Sequence, residues 1–287
     1  MKNKKIPYNL TQIPASSFKL TPEKAYLLGT LCGDGYLSTG YRIGLGVIDK
    51  EFAQYFRYCL WKVYGVVPSI NLRIIKPNNM TRNPKPRYVV MSIAKLVVLD
   101  LLRYSKSFKT FEWEVPEQIK EASKEIQAMF IKGFADSEGS VKNRHRNREL
   151  ILCSGNRASL MEIQEILLKT FEIKSSLRKL KNNVFVLNTS DYKSLKIFYD
   201  QIGFVIKRKQ DKLRAGLTRY KRKGIRKYSS GFKQLAVDML NNGYNHYQIG
   251  NLLNTSYANV HDWEKAAKNS DYYKDKWRKY KYGLKDF

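Results

Sequence analysis

Two carboxylates at matching positions of a repeated motif are the residues of this chain best placed to do chemistry. Asp34 is the eighth residue of Leu27–Gly35, and Glu138 is the eighth residue of Ile131–Gly139. Both segments have apolar residues at the first and fifth positions, Gly at the third, a small residue at the seventh and Gly at the ninth. A pattern that returns about a hundred residues later predicts two similar half-domains, each built around one copy.

Small residues lie four positions apart within each copy of the motif. Gly29 pairs with Gly33 in the first copy, and Gly133 pairs with Ser137 in the second. If each copy is helical, both members of a pair lie on one helix face. Glycine inside a helix costs about 1 kcal/mol relative to alanine. Its use at the same place twice therefore predicts that the two motif helices pack closely against each other.

Each carboxylate is expected at the C-terminal end of its helix, where Gly35 would stop the first helix directly after Asp34. The helix dipole is negative at that end and disfavours an acid, and a bound cation would reverse this cost. Two carboxylates, with only three His and three scattered Cys in the chain, favour a hard, oxygen-seeking ion such as Mg²⁺ over zinc. For one copy alone, the alternative is an ordinary core helix followed by an Asp-Gly turn.

The composition favours a polyanionic partner. The chain carries 53 Lys and Arg against 25 Asp and Glu, a net charge of +28, and each neutralised phosphate releases counterions. Its 20 Tyr and 4 Trp favour nucleic acid over a solubilising surface or an anionic membrane. Hydrophobic residues make up 43% of the chain, which excludes general disorder. No apolar run could span a bilayer and no targeting segment is evident, so we expect a cytoplasmic, intracellular protein.

The chain divides into two repeats and an appended basic region. Each repeat reads as helix, two strands, helix, two strands, helix, which predicts an α+β fold. The predicted boundaries are a basic arm at 1–19, repeats at 20–112 and 113–207, a basic linker at 208–230 and a helical unit at 231–287. Residues 207–230 contain 11 Lys or Arg and a single acid. We expect this linker to be exposed and to follow a phosphate backbone, with a merely solvated tether as the alternative.

The C-terminal unit has the pattern of a small helix-turn-helix. Asn245 and Ser256 are expected to cap two short helices that are separated by a turn of a few residues. On the last helix, Tyr257, Asn259 and His261 are candidates to point outward and contact DNA. Small three-helix units also serve as protein contacts, so that alternative stays open.

Outward residues on the predicted strands are candidates for base contacts. Arg and Lys favour guanine edges in the major groove, and strand pairs fit that groove. The candidates are Arg42, Arg73, Tyr88, Arg144, Arg148, Arg178, Lys179 and Lys181.

On its two motif copies and repeated element order, over about residues 20–210, the chain resembles the LAGLIDADG homing endonucleases in their single-chain, two-repeat form. The resemblance implies two αββαββα halves related by pseudo-twofold symmetry, which form a DNA-binding saddle with the motif helices at its centre. It also implies two or more Mg²⁺ or Mn²⁺ ions at the repeat interface. The ligands would be Asp34 and Glu138, with Gly33 and Ser137 beside them.

Further site residues follow from the same resemblance. A basic residue after the last helix of each half would be Lys109 in the first half, with Lys106 as the alternative, and Lys207 in the second. A polar residue that orders water after the second strand would be Asp49 and Asn156, for which helix capping is an equal alternative. Cys32 and Glu138 depart from the motif, which has Asp at both places. The longer reach of Glu138 leads us to expect unequal cutting of the two strands.

The function implied by the resemblance is metal-dependent cleavage of both strands of a long, asymmetric double-stranded DNA site by a monomer that is an internal pseudo-dimer. The alternatives are an intron maturase that binds host intron RNA, and a DNA-binding regulator that does not cut. Intact acids in both repeats favour cleavage. Because the chain opens with Met1 and shows no self-splicing block, we expect a free-standing or intron-encoded protein.

Overall fold

One arrangement of helices and strands occurs twice along the chain. The first copy consists of α1 (Pro22–Leu31), β1 (Gly35–Ser38), β2 (Arg42–Val47), α2 (Lys50–Tyr64), β3 (Ser69–Arg73), β4 (Arg87–Ile93) and α3 (Lys95–Leu101). After a short helix, α4 (Glu117–Lys120), the second copy consists of α5 (Lys124–Glu138), β5 (Gly139–Arg144), β6 (Asn147–Ser154), α6 (Arg157–Phe171), β7 (Ser176–Lys179), β8 (Phe185–Thr189) and α7 (Tyr192–Gln201). The predicted αββαββα order and α+β class are confirmed.

The computed structural model describes residues 13–74, 85–144, 147–180, 183–218, 228–269 and 271. Residues 1–220 form one unit and residues 221–287 a second. In the first unit each repeat has an antiparallel sheet, with strand orders β1-β2-β4-β3 and β5-β6-β8-β7. One face of each sheet is apolar and packs on the helices, as the buried cross-strand pair of Leu45 and Val90 shows.

Helices α1 and α5 pack side by side through their glycines. A Cβ atom added at Gly29 would lie 2.0 Å from the carbonyl oxygen of Phe130, and one added at Gly133 would lie 2.3 Å from that of Tyr26. Contacts advance in the same direction along both helices, so the helices are parallel. The predicted close approach of the motif helices is confirmed, because there is no room for a methyl group at either place.

The end of the first motif helix differs from the prediction. Helix α1 ends at Leu31, and a turn carries the chain through Asp34. Gly35 is not a left-handed helix stop, since it starts β1 without a positive φ. A side chain is excluded there because an added Cβ would lie 3.0 Å from the carbonyl oxygen of Thr30. Gly35 and Gly139, which follow the acids, therefore allow each strand to start next to the helix backbone.

The predicted linker at 208–230 is wrong over its first part. Residues Lys207–Thr218 form helix α8, which buries Lys209, Leu213 and Gly216. These residues recur at helical spacing, and their burial against the second repeat stabilises the helix. The strongly basic composition of the segment alone does not indicate a helix. Residues 219–227 lie outside the described part of the chain.

The second unit contains three helices, α9 (Ser230–Asn241), α10 (His246–Leu252) and α11 (Tyr257–Lys268). Their core consists of Ala236, Ile249, Val260 and Trp263. Asn245 and Gln248 form a reciprocal capping box at the start of α10, and Ser256 caps α11 by accepting a hydrogen bond from the backbone N–H of Asn259. Both predicted caps are confirmed. Among the described residues, no helix has the length and apolar character required to cross a membrane.

The helix contact makes a specific stability prediction. Gly29→Ala should lower the free energy of unfolding by roughly 2–3 kcal/mol, because the methyl group overlaps backbone that cannot move without separating α1 from α5. Gly46→Ala is the matched control, since an added Cβ there meets no atom within 4 Å, and it should change stability by less than about 0.5 kcal/mol. Urea unfolding followed by circular dichroism measures both. Equal effects of the two substitutions would show that the glycines do not set the helix distance.

Candidate functional site

Asp34 and Glu138 emerge at the same end of the α1–α5 pair. Asp34 directly precedes β1, and Glu138 directly precedes β5, the edge strand of the second sheet. A Cβ added at Gly33 would lie 2.4 Å from the Cβ of Ser137 and 3.1 Å from the Cγ of Glu138. Burial, and then the charge of Asp34, raises the pKa of Glu138 to about 6. Burial also raises the pKa of Asp34. The two acids therefore form a partly dehydrated pair of like charges.

Lys209 lies beneath these acids and was not predicted from the sequence. Its side chain is buried, and Nζ donates hydrogen bonds to the carbonyl oxygens of Ala135 (3.1 Å) and Asp136 (2.6 Å). Burial lowers the pKa of Lys209, while its charge lowers the pKa values of both Asp34 and Glu138 against the effect of burial. Lys209 thus supplies positive charge to the two acids and to the negative end of α5.

Asp136 holds the segment that carries Lys209. Its carboxylate accepts hydrogen bonds from the hydroxyl of Tyr26 (2.8 Å) and from the backbone N–H groups of Val205 (3.1 Å) and Ile206 (3.2 Å). Burial raises the pKa of Asp136 to about 6 despite these donors. The matching residue of the first motif copy is Cys32, a buried free thiol. Asp136 therefore connects α1, α5 and the start of α8, and this role belongs to the second copy.

A cavity of about 210 Å³ opens beside Asp34. At its wall Arg208 donates two hydrogen bonds to the carboxylate of Asp49, at 2.6 and 2.7 Å. Asp49 makes no capping hydrogen bond to α2, so the capping alternative is wrong for this residue. The polar residues around the cavity are Asp34, Asp49, Arg87, Asp136, Ser137, Arg208 and Lys209. Three basic and three acidic side chains thus line the space beside Asp34.

The predicted lysines lie elsewhere. Lys207 is exposed at the start of α8, where its backbone N–H donates to Glu51. The side chain of Lys209, two residues later, is by contrast buried. Lys109 is also exposed, with its Nζ 3.5 Å from the carboxylate of Glu112. The periodicity of α8 could have identified Lys209, because it falls in the buried stripe with Leu213 and Gly216.

The side of the site near the second repeat is built differently. Asn156 caps α6 by accepting from the backbone N–H of Ser159, and its amide donates to the carbonyl oxygen of Trp113 at 2.7 Å. The capping alternative therefore describes Asn156. The ring of Phe111 lies close to Gly155, where an added Cβ would be 2.6 Å from it. Aromatic side chains and a cap thus occupy the place that corresponds to the Asp49–Arg208 pair.

The oxygen donors at the helix ends fit a hard divalent cation. Asp34 and Glu138 provide two carboxylates of raised pKa, and Gly33 and Ser137 lie between them at the contact of the two helix ends. Among the described residues there is no group of three or more His, Cys, Asp or Glu that could hold a metal by itself. Mg²⁺ commonly binds one or two carboxylates and completes its shell with water and substrate phosphates, so this incomplete set suits Mg²⁺ better than zinc.

The strand register sorts the predicted base-contacting residues of the first sheet. Arg42 and Arg73 lie on the exposed face, opposite the apolar core. Tyr88 pairs with buried Val47 and packs against the core, so its predicted outward position is wrong. Arg87, which was not predicted, is exposed one residue earlier on the same strand. The misplacement of Tyr88 by one residue shows how a period of two decides which side chains face outward.

The second sheet gives a similar result. Arg178 is exposed on the outer face. Arg148 occupies a core-facing register position beside Leu150, so its outward prediction is wrong. Lys179 pairs with Phe185 on the core-facing side of the register, but its side chain is exposed at the end of β7. Lys142 is exposed on the outer face and was missed. The side chain of Arg144 and all of Lys181 lie outside the described part of the chain.

In the second unit, the three predicted reader residues differ in exposure. Tyr257 is 51% exposed and stacks on Tyr247 with ring centroids 4.9 Å apart. The amide of Asn259 donates to the hydroxyl of Thr255 at 2.9 Å. The ring of His261 lies 5.5 Å from that of His246. Tyr257 therefore presents the most accessible surface at the start of α11.

The raised pKa of Glu138 predicts that ionisation of this acid lowers the stability of the folded protein. Its pKa rises from an ordinary 4.5 to about 6 in the folded state, so the folded protein holds the proton more tightly than the unfolded chain does. Relative to Glu138→Gln, the metal-free protein should lose roughly 1–2 kcal/mol of stability as pH rises through the interval between these two pKa values. Above that interval, stability should fall no further. Urea unfolding in EDTA across this range measures the difference.

The matched control is Glu125→Gln, at an exposed carboxylate on the same helix, whose stability curve should stay parallel to that of the unchanged protein. Adding Mg²⁺ at neutral pH should remove the cost at Glu138, because a cation that binds only the folded state stabilises it. A difference between the protein and Glu138→Gln that is constant with pH would contradict the assignment of Glu138 to a dehydrated acid pair.

Comparison with known proteins supports the repeat on independent grounds. Residues 125–203 match the family model of a LAGLIDADG-like domain. The chain is 26% identical over 210 residues to the glutamine–fructose-6-phosphate aminotransferase of Methanocaldococcus jannaschii, covering 70% of this chain and 18% of that protein. It therefore spans less than a fifth of the length of this curated relative.

Among solved structures, the homing endonuclease I-WcaI bound to its DNA recognition sequence matches with a TM-score of 0.51 and 14% identity, over 68% of this chain and 87% of that one. Full-length WhiA from Thermatoga maritima matches with a TM-score of 0.48 and 15% identity, over 90% of this chain and 93% of that one. Residues 125–203 thus resemble a LAGLIDADG-like domain, and the likeness to I-WcaI shows that the two αββαββα repeats have the fold of that protein.

Proposed function

We propose that the first unit is a DNA endonuclease that cuts double-stranded DNA at a specific, long and asymmetric site. The observation that carries the proposal is the pair of partly buried carboxylates, Asp34 and Glu138, with the buried ammonium group of Lys209 beneath them. Two partly buried acids whose pKa values are raised are unfavourable for folding alone, so a ligand that needs them is the simplest reason for their arrangement. The fold is shared with I-WcaI, a homing endonuclease.

The chemistry follows from the charges at the site. A divalent cation bound there would activate water and stabilise the leaving oxygen in phosphodiester hydrolysis. Asp34 and Glu138 would hold that cation, and Lys209 would reduce the repulsion between them. Arg87 and Arg208 line the cavity beside Asp34, where guanidinium groups can meet the oxygens of a phosphate. Lys209, Arg87 and Arg208 would therefore stabilise negative charge where phosphoryl oxygens would lie, and the two carboxylates would do so through the cation.

The outer sheet faces would hold the DNA. Antiparallel strand pairs fit the major groove, and the exposed outward cations, which would contact bases or phosphates, are Arg42, Arg73, Arg87, Lys142 and Arg178. The net charge of +28 supplies the sequence-independent part of the affinity. The acids stand directly before β1 and β5, so DNA held on both sheets would pass over them.

The second unit would add a DNA contact as a helix-turn-helix. Helices α10 and α11 are joined by residues 253–256, and Asn254 adopts a positive φ of 49° in this turn. An added Cβ at Gly250 would lie 3.1 Å from the carbonyl oxygen of Thr255, so the turn folds tightly over α10. This compact corner supports α11 as the reading helix, with Tyr257 at its exposed start.

Removing the carboxylates should abolish cutting. Duplexes cleaved by the protein in Mg²⁺ can be selected from a randomised library and then used as the substrate. Asp34→Asn and Glu138→Gln should each lower the rate of double-strand breakage by about a thousandfold or more while duplex binding persists, because each change removes an oxygen donor for the cation. Selective binding without metal-dependent breaks in the unchanged protein would replace the nuclease proposal with a non-cleaving regulator.

Two neighbouring lysines on α8 provide a matched pair of tests. Lys209→Met should slow cleavage by about a hundredfold, because it removes positive charge next to the reacting groups. Lys207→Met should change the rate by no more than about twofold, because the side chain of Lys207 is exposed at the start of α8. Cleavage rates at saturating Mg²⁺ measure both. The opposite order of effects would restore Lys207 as the catalytic residue.

Removing residues 221–287, which form the second unit, should weaken duplex affinity by about tenfold or more and shorten the protected site. The physical reason is the loss of the proposed α11 contact and of its phosphate partners. Footprinting and equilibrium binding at one fixed salt concentration measure the change. Unchanged affinity and an unchanged footprint would show that the second unit does not read DNA.

A further inference from the structure

Helix α2 presents a row of aromatic rings on its outer face. Tyr55, Tyr58 and Trp61 follow one another at three-residue spacing, and we call them the aromatic ladder. Tyr58 is 39% exposed and Trp61 is 50% exposed. Large apolar side chains that are exposed together, rather than singly, commonly mark an interaction surface. The proposed cleavage chemistry makes no use of these residues.

The ladder is held in place from inside the molecule. The ring of Tyr55 meets that of buried Tyr26 nearly at right angles, with centroids 4.7 Å apart. Tyr55 stacks on Tyr58 at 5.6 Å, and Tyr58 lies 5.9 Å from Trp61. A continuous series of contacts therefore runs from the motif helix to the surface. Rings fixed in this way lose little freedom when a ligand binds.

Two basic side chains flank the exposed rings. Arg57 lies four residues before Trp61, and Lys62 lies four residues after Tyr58, so each is a neighbour of a ring on the helix surface. Neither makes an ion pair with any residue that the structure describes. Positive charge without a carboxylate partner among the described residues thus stands beside the exposed rings.

The corresponding helix of the second repeat has a different surface. On α6 the exposed apolar side chains are Met161, 43% exposed, and Leu168, 52% exposed. Carboxylates accompany them, with Glu165 paired to Lys169 and Glu162 paired to Lys120. The equivalent faces thus carry exposed apolar groups of similar size, but the charges beside those on α6 are neutralised in ion pairs. Of these two helices, α2 alone exposes aromatic rings beside basic side chains that have no carboxylate partner among the described residues.

We propose that the aromatic ladder binds single-stranded nucleic acid. Unpaired bases would stack on Tyr58 and Trp61, and phosphates would meet Arg57 and Lys62; this combination of rings and cations is how proteins hold single strands without reading sequence. A duplex hides its bases and cannot stack in this way. Because α2 lies between the ladder and the first sheet, a single strand here and a duplex on the outer sheet face would not compete for the same residues.

The test uses the full-length chain and labelled oligomers of uridine and of thymidine, about 20 nucleotides long. Binding is measured by fluorescence anisotropy at raised salt, which weakens purely electrostatic sites more than stacking. Tyr58→Ala with Trp61→Ala should weaken binding by about tenfold or more. Tyr58→Phe with Trp61→Phe should restore it, because the rings remain. Arg57→Gln with Lys62→Gln should reduce the slope of log affinity against log salt concentration by about 0.7 for each lost phosphate contact.

Met161→Ala with Leu168→Ala is the matched control, since it removes exposed apolar groups from the equivalent helix, and its binding should stay within about twofold. Tighter binding of the uridine oligomer would identify RNA as the ligand, and tighter binding of the thymidine oligomer would identify single-stranded DNA. Equal binding of the two oligomers would support a site that does not distinguish ribose from deoxyribose.

Three results would overturn the proposal. The first is unchanged binding when the rings are removed, and the second is an equal loss in the α6 control. The third is a concentration-dependent dimer, seen by sedimentation, that the alanine variant no longer forms; this would assign the face to a second copy of the chain. Duplex cleavage by the ladder variants should be unchanged. Because the readout is single-strand binding, a chain that never cuts DNA would leave this inference standing.

Discussion

The distance between α1 and α5 is the constraint on which the first unit depends. At Gly29 and Gly133 each helix meets the backbone of the other with no space for a side chain. The approach brings two helix ends together, and with them the carboxylates of Asp34 and Glu138. With bulkier residues the helices would separate, and the same acids would be ordinary, isolated surface groups. Packing therefore creates the electrostatic character of the site, because burial raises both pKa values and the charge of Asp34 raises that of Glu138 further.

A second group of contacts compensates for this unfavourable charge. Lys209 enters from α8, an element that follows both repeats, and hydrogen-bonds the last turn of α5. Asp136 fixes the chain just before α8 through backbone hydrogen bonds to Val205 and Ile206. Within the part of the chain that the structure describes, the corresponding place on the side of the second repeat holds Asn156 and the ring of Phe111. The halves share a fold but differ in the groups that surround their acids.

Features that depend on local residue types could be predicted from the sequence, whereas features that depend on contacts between distant residues were missed. The repeated motif, its small residues and its carboxylates were visible because identity and spacing alone indicate a close helix contact. Lys209 was hidden among many cations, and only its place in the buried stripe of α8 distinguishes it from Lys207. The outward prediction for Tyr88 failed because facing depends on strand register, which a partner strand sets. Asp49 looked like a cap until Arg208, distant in the sequence, was seen to pair with it.

The position of α8 in the chain has a consequence for biosynthesis. A ribosome completes both carboxylates and both sheets before it reaches Lys209. Until that point the nascent protein has a pair of repelling acids whose nearest buried cation does not yet exist. The buried cation of the central contact is thus synthesised last, on a segment outside either repeat. A chain released early by premature termination would retain the acids but lack their counter-charge, so any activity that requires Lys209 would begin only with the finished unit.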